Sequence, residues 1–143
     1  MKIFIAQISP RVGDLIGNVR QMHASIAQAQ QGCCDLVVFP ELAVTGYPPE
    51  DLLLRRLFMD EVENAVQAVV AAAGNSCVVF GAPRRDGELL KNSVIMAQNG
   101  SVVGVYDKQK LPNYGVFDEQ RYFTAGRGEN TIVEVNGWRI GVG

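Results

Sequence analysis

The sequence has few of the residues that metal sites and disulfide frameworks need: one histidine, His23, and three cysteines among 143 residues. Because zinc and related metals are held mainly by histidine and cysteine, we expect no metal site. An odd number of cysteines, two of them adjacent at Cys33 and Cys34, argues against disulfides and favours a reducing, cytoplasmic location. We expect Cys33, Cys34 and Cys77 to be buried structural residues.

A strong charge of one sign and long apolar runs are also missing. Thirteen Lys and Arg residues against fifteen Asp and Glu residues give a formal net charge of −2, so no basic surface for nucleic acid is predicted. No apolar run approaches the roughly 18 residues that would cross a bilayer, and the first ten residues do not have the pattern of a secretory signal. With 48% hydrophobic residues, the composition is that of a globular domain with neither nucleic acid nor membrane as a partner.

The apolar pattern predicts a mixed-sheet α/β fold. Asp-Gly or Asn-Gly pairs beginning at Asp86, Asn99 and Asn136 are typical of hairpin turns, so the second half should consist of antiparallel strands. Strands are predicted at residues 2–8, 35–39, 77–80, 89–98, 101–106, 131–135 and 138–142. A polar and aromatic segment, residues 108–130, separates two of these strands, and a loop of that length is usually functional or disordered.

Helices are predicted between the first three strands. Residues 19–29 follow helical spacing, and Gly32 is expected to cap that helix. A short helix should open at Pro49. Asp60 and Glu63 match a capping box, which predicts that the next helix begins there and is closed by Gly74.

The chain ends within an apolar strand, residues 138–143. A complete domain seldom ends in the middle of such a strand. We therefore expect residues 1–143 to form one domain that is incomplete at its C-terminal end.

Three places carry chemistry. Glu41 comes shortly after a buried strand, behind Pro40, at the strand end where α/β sheets bind ligands. A partly desolvated carboxylate at that position can be a general base. Glu41 can also be an ordinary solvated acid at the start of a loop. Lys108 and Lys110 follow another strand and could stabilise an oxyanion or form a basic turn, and their spacing does not choose between them.

The third place lies among aromatic residues of the long polar segment. Asp118 and Glu119 could orient a cation there or lie on the loop surface. No phosphate-binding loop and no dinucleotide fingerprint is present, because residues 126–128 lack the third glycine and do not follow a strand.

The segment of residues 39–42 (FPEL), together with residues 45–47 (TGY) and the Lys108 loop, resembles the nitrilase superfamily of carbon–nitrogen hydrolases. Two longer motifs, residues 46–53 (GYPPEDLL) and residues 111–123 (LPNYGVFDEQRYF), resemble more closely the N-terminal glutaminase domain of glutamine-dependent NAD synthetases. The resemblance covers the whole chain in order. It implies a nitrilase-like α-β-β-α sandwich, of which these residues are the N-terminal part.

The resemblance also implies a Glu-Lys-Cys triad. Glu41 matches the general base, Lys108 the catalytic lysine, and Glu119 a second carboxylate that holds the lysine. Aromatic positions around the substrate pocket are matched by Tyr47, Tyr114 and Phe117. The family's nucleophilic cysteine follows the strand that ends at position 143, so residues 1–143 by themselves are expected to be inactive.

The implied activity is hydrolysis of glutamine to release ammonia. A separate C-terminal domain would use that ammonia, with ATP and Mg²⁺, to amidate deamido-NAD, and the enzyme would be a homo-oligomer. Two alternatives stay open. One is a free-standing amidase or carbamoylase of the same superfamily, and the other is a catalytically inactive binding or scaffold domain.

Overall fold

The structure, a computed structural model, describes residues 1–143 as two helices, seven strands and two short 3₁₀ turns. The helices are α1 (Leu15–Gln31) and α2 (Arg56–Ala72). The strands are β1 (Ile3–Ile5), β2 (Leu36–Val38), β3 (Cys77–Asp86), β4 (Leu89–Gln98), β5 (Ser101–Asp107), β6 (Thr131–Val135) and β7 (Trp138–Val142). The 3₁₀ turns are Glu50–Leu54 and Glu119–Arg121.

Five strands form one sheet in the order β1-β2-β3-β4-β5, and β6 and β7 form a separate hairpin. The first three strands are parallel, and β3, β4 and β5 are antiparallel. Parallel neighbours need a long crossover, which α1 and α2 supply, whereas the antiparallel strands are joined by two-residue turns. The predicted mixed α/β fold is confirmed.

The two faces of the sheet bury different partners. On one face, Met22 of α1 and Val62 of α2 belong to the same core as Phe80 of β3. On the other face, Met96 of β4 packs with Val133 of the β6–β7 hairpin. Because successive strand residues point to opposite faces, one apolar strand can serve both cores. The layers are therefore helices, sheet and hairpin.

The predicted capping box at Asp60 and Glu63 is wrong. The helix begins one turn earlier, at Arg56, and these two acids lie inside it. Both contact Arg85 of β3, at 2.7 Å from Asp60 and 3.1 Å from Glu63. Their spacing therefore reflects an ion pair across to the sheet, because residues three apart lie on the same side of a helix.

Two strands differ from their predicted lengths by more than two residues. The first strand is shorter, covering Ile3–Ile5 because its parallel partner β2 has only three residues. The third is longer, because β3 pairs with β4 along the whole stretch from Val78 to Asp86. The Asn-Gly turns are as predicted, with positive φ at Asn99 and Asn136 as type I′ geometry requires.

The cysteines are free thiols, and two of the three are buried as expected, Cys34 and Cys77. Cys33 is exposed, so the prediction for that residue is wrong. It directly follows the cap of α1 and has a φ of 51°, which turns it away from the core. Neither helix combines the length and hydropathy that crossing a membrane requires.

Candidate active site

Glu41 stands at the carboxyl end of β2, where the chain leaves the sheet. The N–H of Phe39 still donates to the carbonyl of Val79 at 2.9 Å, so the backbone follows β3 up to this point. The next turn is tight, because Leu42 is fully buried with a φ of 47°. It fits against β3 only because position 81 is glycine: a Cβ there would overlap the backbone N of Leu42. This close approach fixes where Glu41 projects.

Asn92 of β4 joins Glu41 to Lys108. It is buried, and its Nδ2 donates to Oε1 of Glu41 at 2.7 Å. Its backbone carbonyl accepts the N–H of Lys108 at 2.8 Å, which extends the β4–β5 pairing by one step. The side chain and the backbone of one residue thus contact both of the predicted catalytic groups.

Lys108 lies between two carboxylates. Its Nζ is 2.7 Å from Oε1 of Glu41 and 3.1 Å from Oε1 of Glu119. Partial burial by itself would lower the pKa of Lys108, but the hydrogen bonds and negative charges of Glu41 and Glu119 outweigh it and raise that pKa. The lysine is therefore a stable ammonium ion that can stabilise negative charge.

Glu119 is the buried acid of the group, with a side chain only 5% exposed. Its Oε1 accepts the Tyr47 hydroxyl at 3.1 Å as well as the Lys108 ammonium, while its Oε2 is buried without a hydrogen-bond partner. Burial first, then the hydrogen bond to Glu119, raises the pKa of Tyr47 to about 12. Tyr47 therefore keeps its proton and donates a hydrogen bond to Glu119.

The long polar segment is an anchored loop. The N–H of Gly126 donates to the carbonyl of Lys108 at 2.9 Å and closes it. Thr124 N–H donates to Leu90 on β4, and the buried Lys91 donates from Nζ to the carbonyl of Ala125 at 2.9 Å. These bonds tie the loop to β4 beside Asn92, which is why Glu119 reaches Lys108 from a segment with almost no regular structure.

Two clefts are lined by carboxylates of this group. The first, about 330 Å³, is lined by Glu41, Asn92 and Lys108 and also by the last two residues, Val142 and Gly143; we call it the base cleft. The second, about 200 Å³, is lined by the residues 47–53 turn and by residues around Glu119. The Lys108–Glu119 ion pair joins the two clefts.

The structure thus brings four of the six predicted site residues into contact: Glu41, Lys108, Glu119 and Tyr47. The other two lie at the rim. Tyr114 is 71% exposed, and Phe117 packs edge-on against it with ring centroids 5.6 Å apart. Phe117 also lies against Tyr47, with ring centroids 6.3 Å apart.

The structure also separates the pairs that the sequence left open. Lys110 is exposed and forms no ion pair, whereas Lys108 pairs with both Glu41 and Glu119. Asp118 is exposed, whereas its neighbour Glu119 is buried. Asn92 was not predicted from the sequence, and the only signal was a run of polar residues, 91–93, inside a mostly apolar strand that begins with two leucines.

The sequence profile described as carbon–nitrogen hydrolase matches residues 2–143. The chain belongs to the carbon–nitrogen hydrolase family. Among its relatives, the glutamine-dependent NAD(+) synthetase of Xanthomonas campestris is 40% identical over 99% of this chain, and that of Thermotoga maritima is 38% identical over 99%. The chain spans about a quarter of the length of these relatives, 26% and 25%.

Solved structures agree with the fold. The glutamine-dependent NAD+ synthetase of Acinetobacter baumannii superposes over 97% of this chain and 26% of its own, with a TM-score of 0.91 and 38% identity. An amidase from Nesterenkonia sp. matches 99% of this chain and 54% of its own with a TM-score of 0.84, but at 22% identity it is informative about the fold alone. The predicted nitrilase-type sandwich, represented here by its N-terminal part, is confirmed.

Proposed function

We propose that this carbon–nitrogen hydrolase chain is the glutamine amidohydrolase part of a glutamine-dependent NAD synthetase. One observation of the site supports it above all: the Lys108 ammonium lies within 3.1 Å of two carboxylates and lines a cleft together with Glu41. That arrangement supplies a base and a fixed positive charge, which are two of the three groups that amide hydrolysis through a thioester requires. Relatives that are about 40% identical support glutamine as the amide.

The third group is a cysteine after β7, as the family resemblance implies. Val142 and Gly143 line the base cleft with Glu41, so a residue following β7 would enter that cleft. Glu41 would take the thiol proton, and the thiolate would attack the carbon of the glutamine side-chain amide. The C–S bond forms as the carbonyl π electrons move onto oxygen.

Lys108 would hold the resulting oxyanion. When the oxyanion collapses, the C–N bond breaks and ammonia leaves with the proton that Glu41 accepted. Water then loses a proton to Glu41 and attacks the thioester carbon through a second oxyanion. When this oxyanion collapses, the C–S bond breaks and the leaving thiolate takes the proton back from Glu41. The sum is glutamine plus water giving glutamate plus ammonium, because the new carboxyl group gives its proton to ammonia.

The released ammonia would amidate deamido-NAD in a part of the protein outside residues 1–143, and ATP and Mg²⁺ would be used there. The chain supports this division, because its sequence contains no phosphate-binding loop. In this proposal Glu41, Lys108 and Glu119 contribute only to ammonia production.

The test uses the full-length protein that contains this chain. We expect ammonia release from glutamine, and NAD formation with either glutamine or ammonium chloride as the nitrogen source. Residues 1–143 alone should release no ammonia. Hydrolysis of acetamide or N-carbamoyl amino acids without hydrolysis of glutamine would replace the proposal with a free-standing amidase or carbamoylase, and a folded full-length protein that hydrolyses none of them would indicate a binding or scaffold domain.

A further inference from the structure

We propose that Asn92 is a positioning residue that holds Glu41 by one oxygen and so keeps the other oxygen free as the proton acceptor. The inference deepens the proposed function and rests on it for its catalytic consequence. Asn92 itself would touch neither the substrate amide nor the nucleophile.

The first step is the hydrogen bonding of Glu41. Asn92 Nδ2 and Lys108 Nζ each lie 2.7 Å from Oε1, and no group of the chain donates to Oε2. The Glu41 side chain is about half exposed and lines the base cleft. Because both donors contact one oxygen, the second oxygen is left to accept a proton from a group in that cleft.

The second step is the rigidity of the donor. Asn92 is only 4% exposed and lies on β4, between β3 and β5 in the sheet. Its backbone carbonyl also accepts the Lys108 N–H. Asn92 therefore sets the separation of the base and the lysine, which a flexible surface amide could not do.

The third step is chemical. An amide donor favours the charged carboxylate without being able to take its proton, since the amide does not titrate. Lys108, the other donor, is shared with Glu119, and Tyr47 also faces this group through Glu119. Asn92 is the neutral partner of Glu41 among these charged or titratable residues.

Asn92→Leu in the full-length protein tests the proposal by replacing the amide with an apolar side chain of similar size. We expect kcat for glutamine hydrolysis to fall about 10- to 100-fold, the range for a lost hydrogen bond to a charged group, with KM little changed. The acidic limb of the pH–rate profile should move to higher pH. Asn92→Asp, which keeps the shape and adds a like charge beside Glu41, should move it further and covers the case in which the leucine variant does not fold.

The matched control is Gln98→Leu. Gln98 lies on the same strand and donates an amide N–H over the same distance, 2.7 Å, but to the carbonyl of Asn75. It should leave kcat and the pH profile unchanged. A kcat that falls equally in both variants would mean that Asn92 acts only through the stability of β4, and a raised KM with unchanged kcat would mean that it binds substrate. Either result overturns the proposal.

A readout that needs no activity separates this inference from the proposed function. In protein labelled with ¹³C at the glutamate carboxyls, the Glu41 resonance, assigned with Glu41→Gln, is compared by NMR at one neutral pH in the wild type and in Asn92→Leu. Loss of the Asn92 hydrogen bond should move that resonance, whereas Gln98→Leu should leave it in place. An unmoved resonance in Asn92→Leu overturns the role of Asn92 even if glutamine is hydrolysed. A moved resonance in a protein that hydrolyses no glutamine supports the contact and rejects only the function.

Discussion

The two halves of the site are held in different ways. Asn92 lies on β4, Lys108 directly follows β5, and Glu41 lies in the tight turn after β2 that packs against Gly81 of β3, so the sheet sets their spacing. Tyr47 and Glu119 come from loops with only short 3₁₀ turns and are held by a few hydrogen bonds. We call Glu41, Asn92 and Lys108 the strand-held half, and Tyr47 and Glu119 the loop-held half. The groups that react in the proposed mechanism belong to the strand-held half, and the groups that support Lys108 belong mainly to the loop-held half.

This difference has an energetic meaning. A strand residue cannot move without breaking several ladder hydrogen bonds, whereas a loop residue can relax at a smaller cost. Burial limits the movement of Glu119 in the loop-held half, since its side chain is almost fully enclosed although its loop is at the surface. Substitutions should therefore reduce activity more in the strand-held half.

The largest effect is expected at Lys108. In the full-length protein, Lys108→Ala removes the oxyanion donor and should lower glutamine-dependent NAD formation about 100- to 1,000-fold. Ammonia-dependent NAD formation should be unchanged, because that reaction forms no oxyanion at this site. Both rates are measured on the same preparation.

Lys110→Ala is the matched control, because Lys110 is exposed and unpaired two residues away. It should leave both rates unchanged. If Lys110→Ala, rather than Lys108→Ala, gave the selective loss, the assignment of the lysine would be wrong, and an equal loss of both reactions in Lys108→Ala would make Lys108 structural.

A smaller loss is expected for Glu119→Gln, which keeps the shape but removes one of the two negative charges beside Lys108. Because Glu41 still holds the lysine, we expect kcat for glutamine hydrolysis to fall about tenfold, the lower end for a hydrogen bond between charged groups. Asp118→Asn, at the exposed neighbouring position, should have no effect. A loss at Glu119 as large as that at Lys108 would show that the two halves of the site are equally critical.

The packing behind Glu41 can be tested with Gly81→Ala. The added Cβ would lie 3.0 Å from the carbonyl carbon of Glu41 and closer to Leu42, so the turn after β2 must shift. We expect the free energy of unfolding, measured with urea, to fall by about 1–3 kcal/mol. Gly141→Ala is the control, because a Cβ there meets nothing within 4 Å. Equal stability of the two variants would contradict the close approach.

The smallest effect is expected for Tyr47→Phe, which removes only the hydroxyl bond to Glu119 and should cost about 1 kcal/mol at neutral pH. Its signature is the pH dependence. The pKa of Tyr47 is raised from 10.0 to about 12 on folding, so between these values the unfolded chain loses a proton that the folded chain keeps. The free energy of unfolding of the wild type should therefore fall as pH rises from 10 to 12.

In Tyr47→Phe this part of the pH dependence should be absent. The raised pKa of Tyr122 contributes to both proteins and largely cancels in the difference between their urea unfolding curves. Absorbance of tyrosinate near pH 12 provides a second measurement. Parallel stability curves for the two proteins would contradict the burial of the Tyr47 hydroxyl against Glu119.

Much of the fold could be predicted because it is encoded locally. The Asn-Gly pairs at Asn99 and Asn136 demand positive φ, and each produced the predicted hairpin. The strands at residues 36–38 and 131–135 could be recognised from the sequence, because apolar residues follow one another without interruption or alternate with polar ones. The capping box predicted from Asp60 and Glu63 was wrong, because a capping box and an ion pair with a distant arginine both place two residues three positions apart on a helix.

Local sequence patterns predict the mixed α/β class and the hairpins, and the resemblance to a family predicts Glu41, Lys108 and Glu119 as site residues. Tertiary contacts pair Lys108, but not Lys110, with two carboxylates, bury Glu119 while leaving Asp118 exposed, and bring Asn92 to Glu41 across 51 positions of the chain. The reason is physical. Turn and strand preferences depend on neighbours in sequence, but a hydrogen bond between strands depends on register and crossover, which no local pattern specifies.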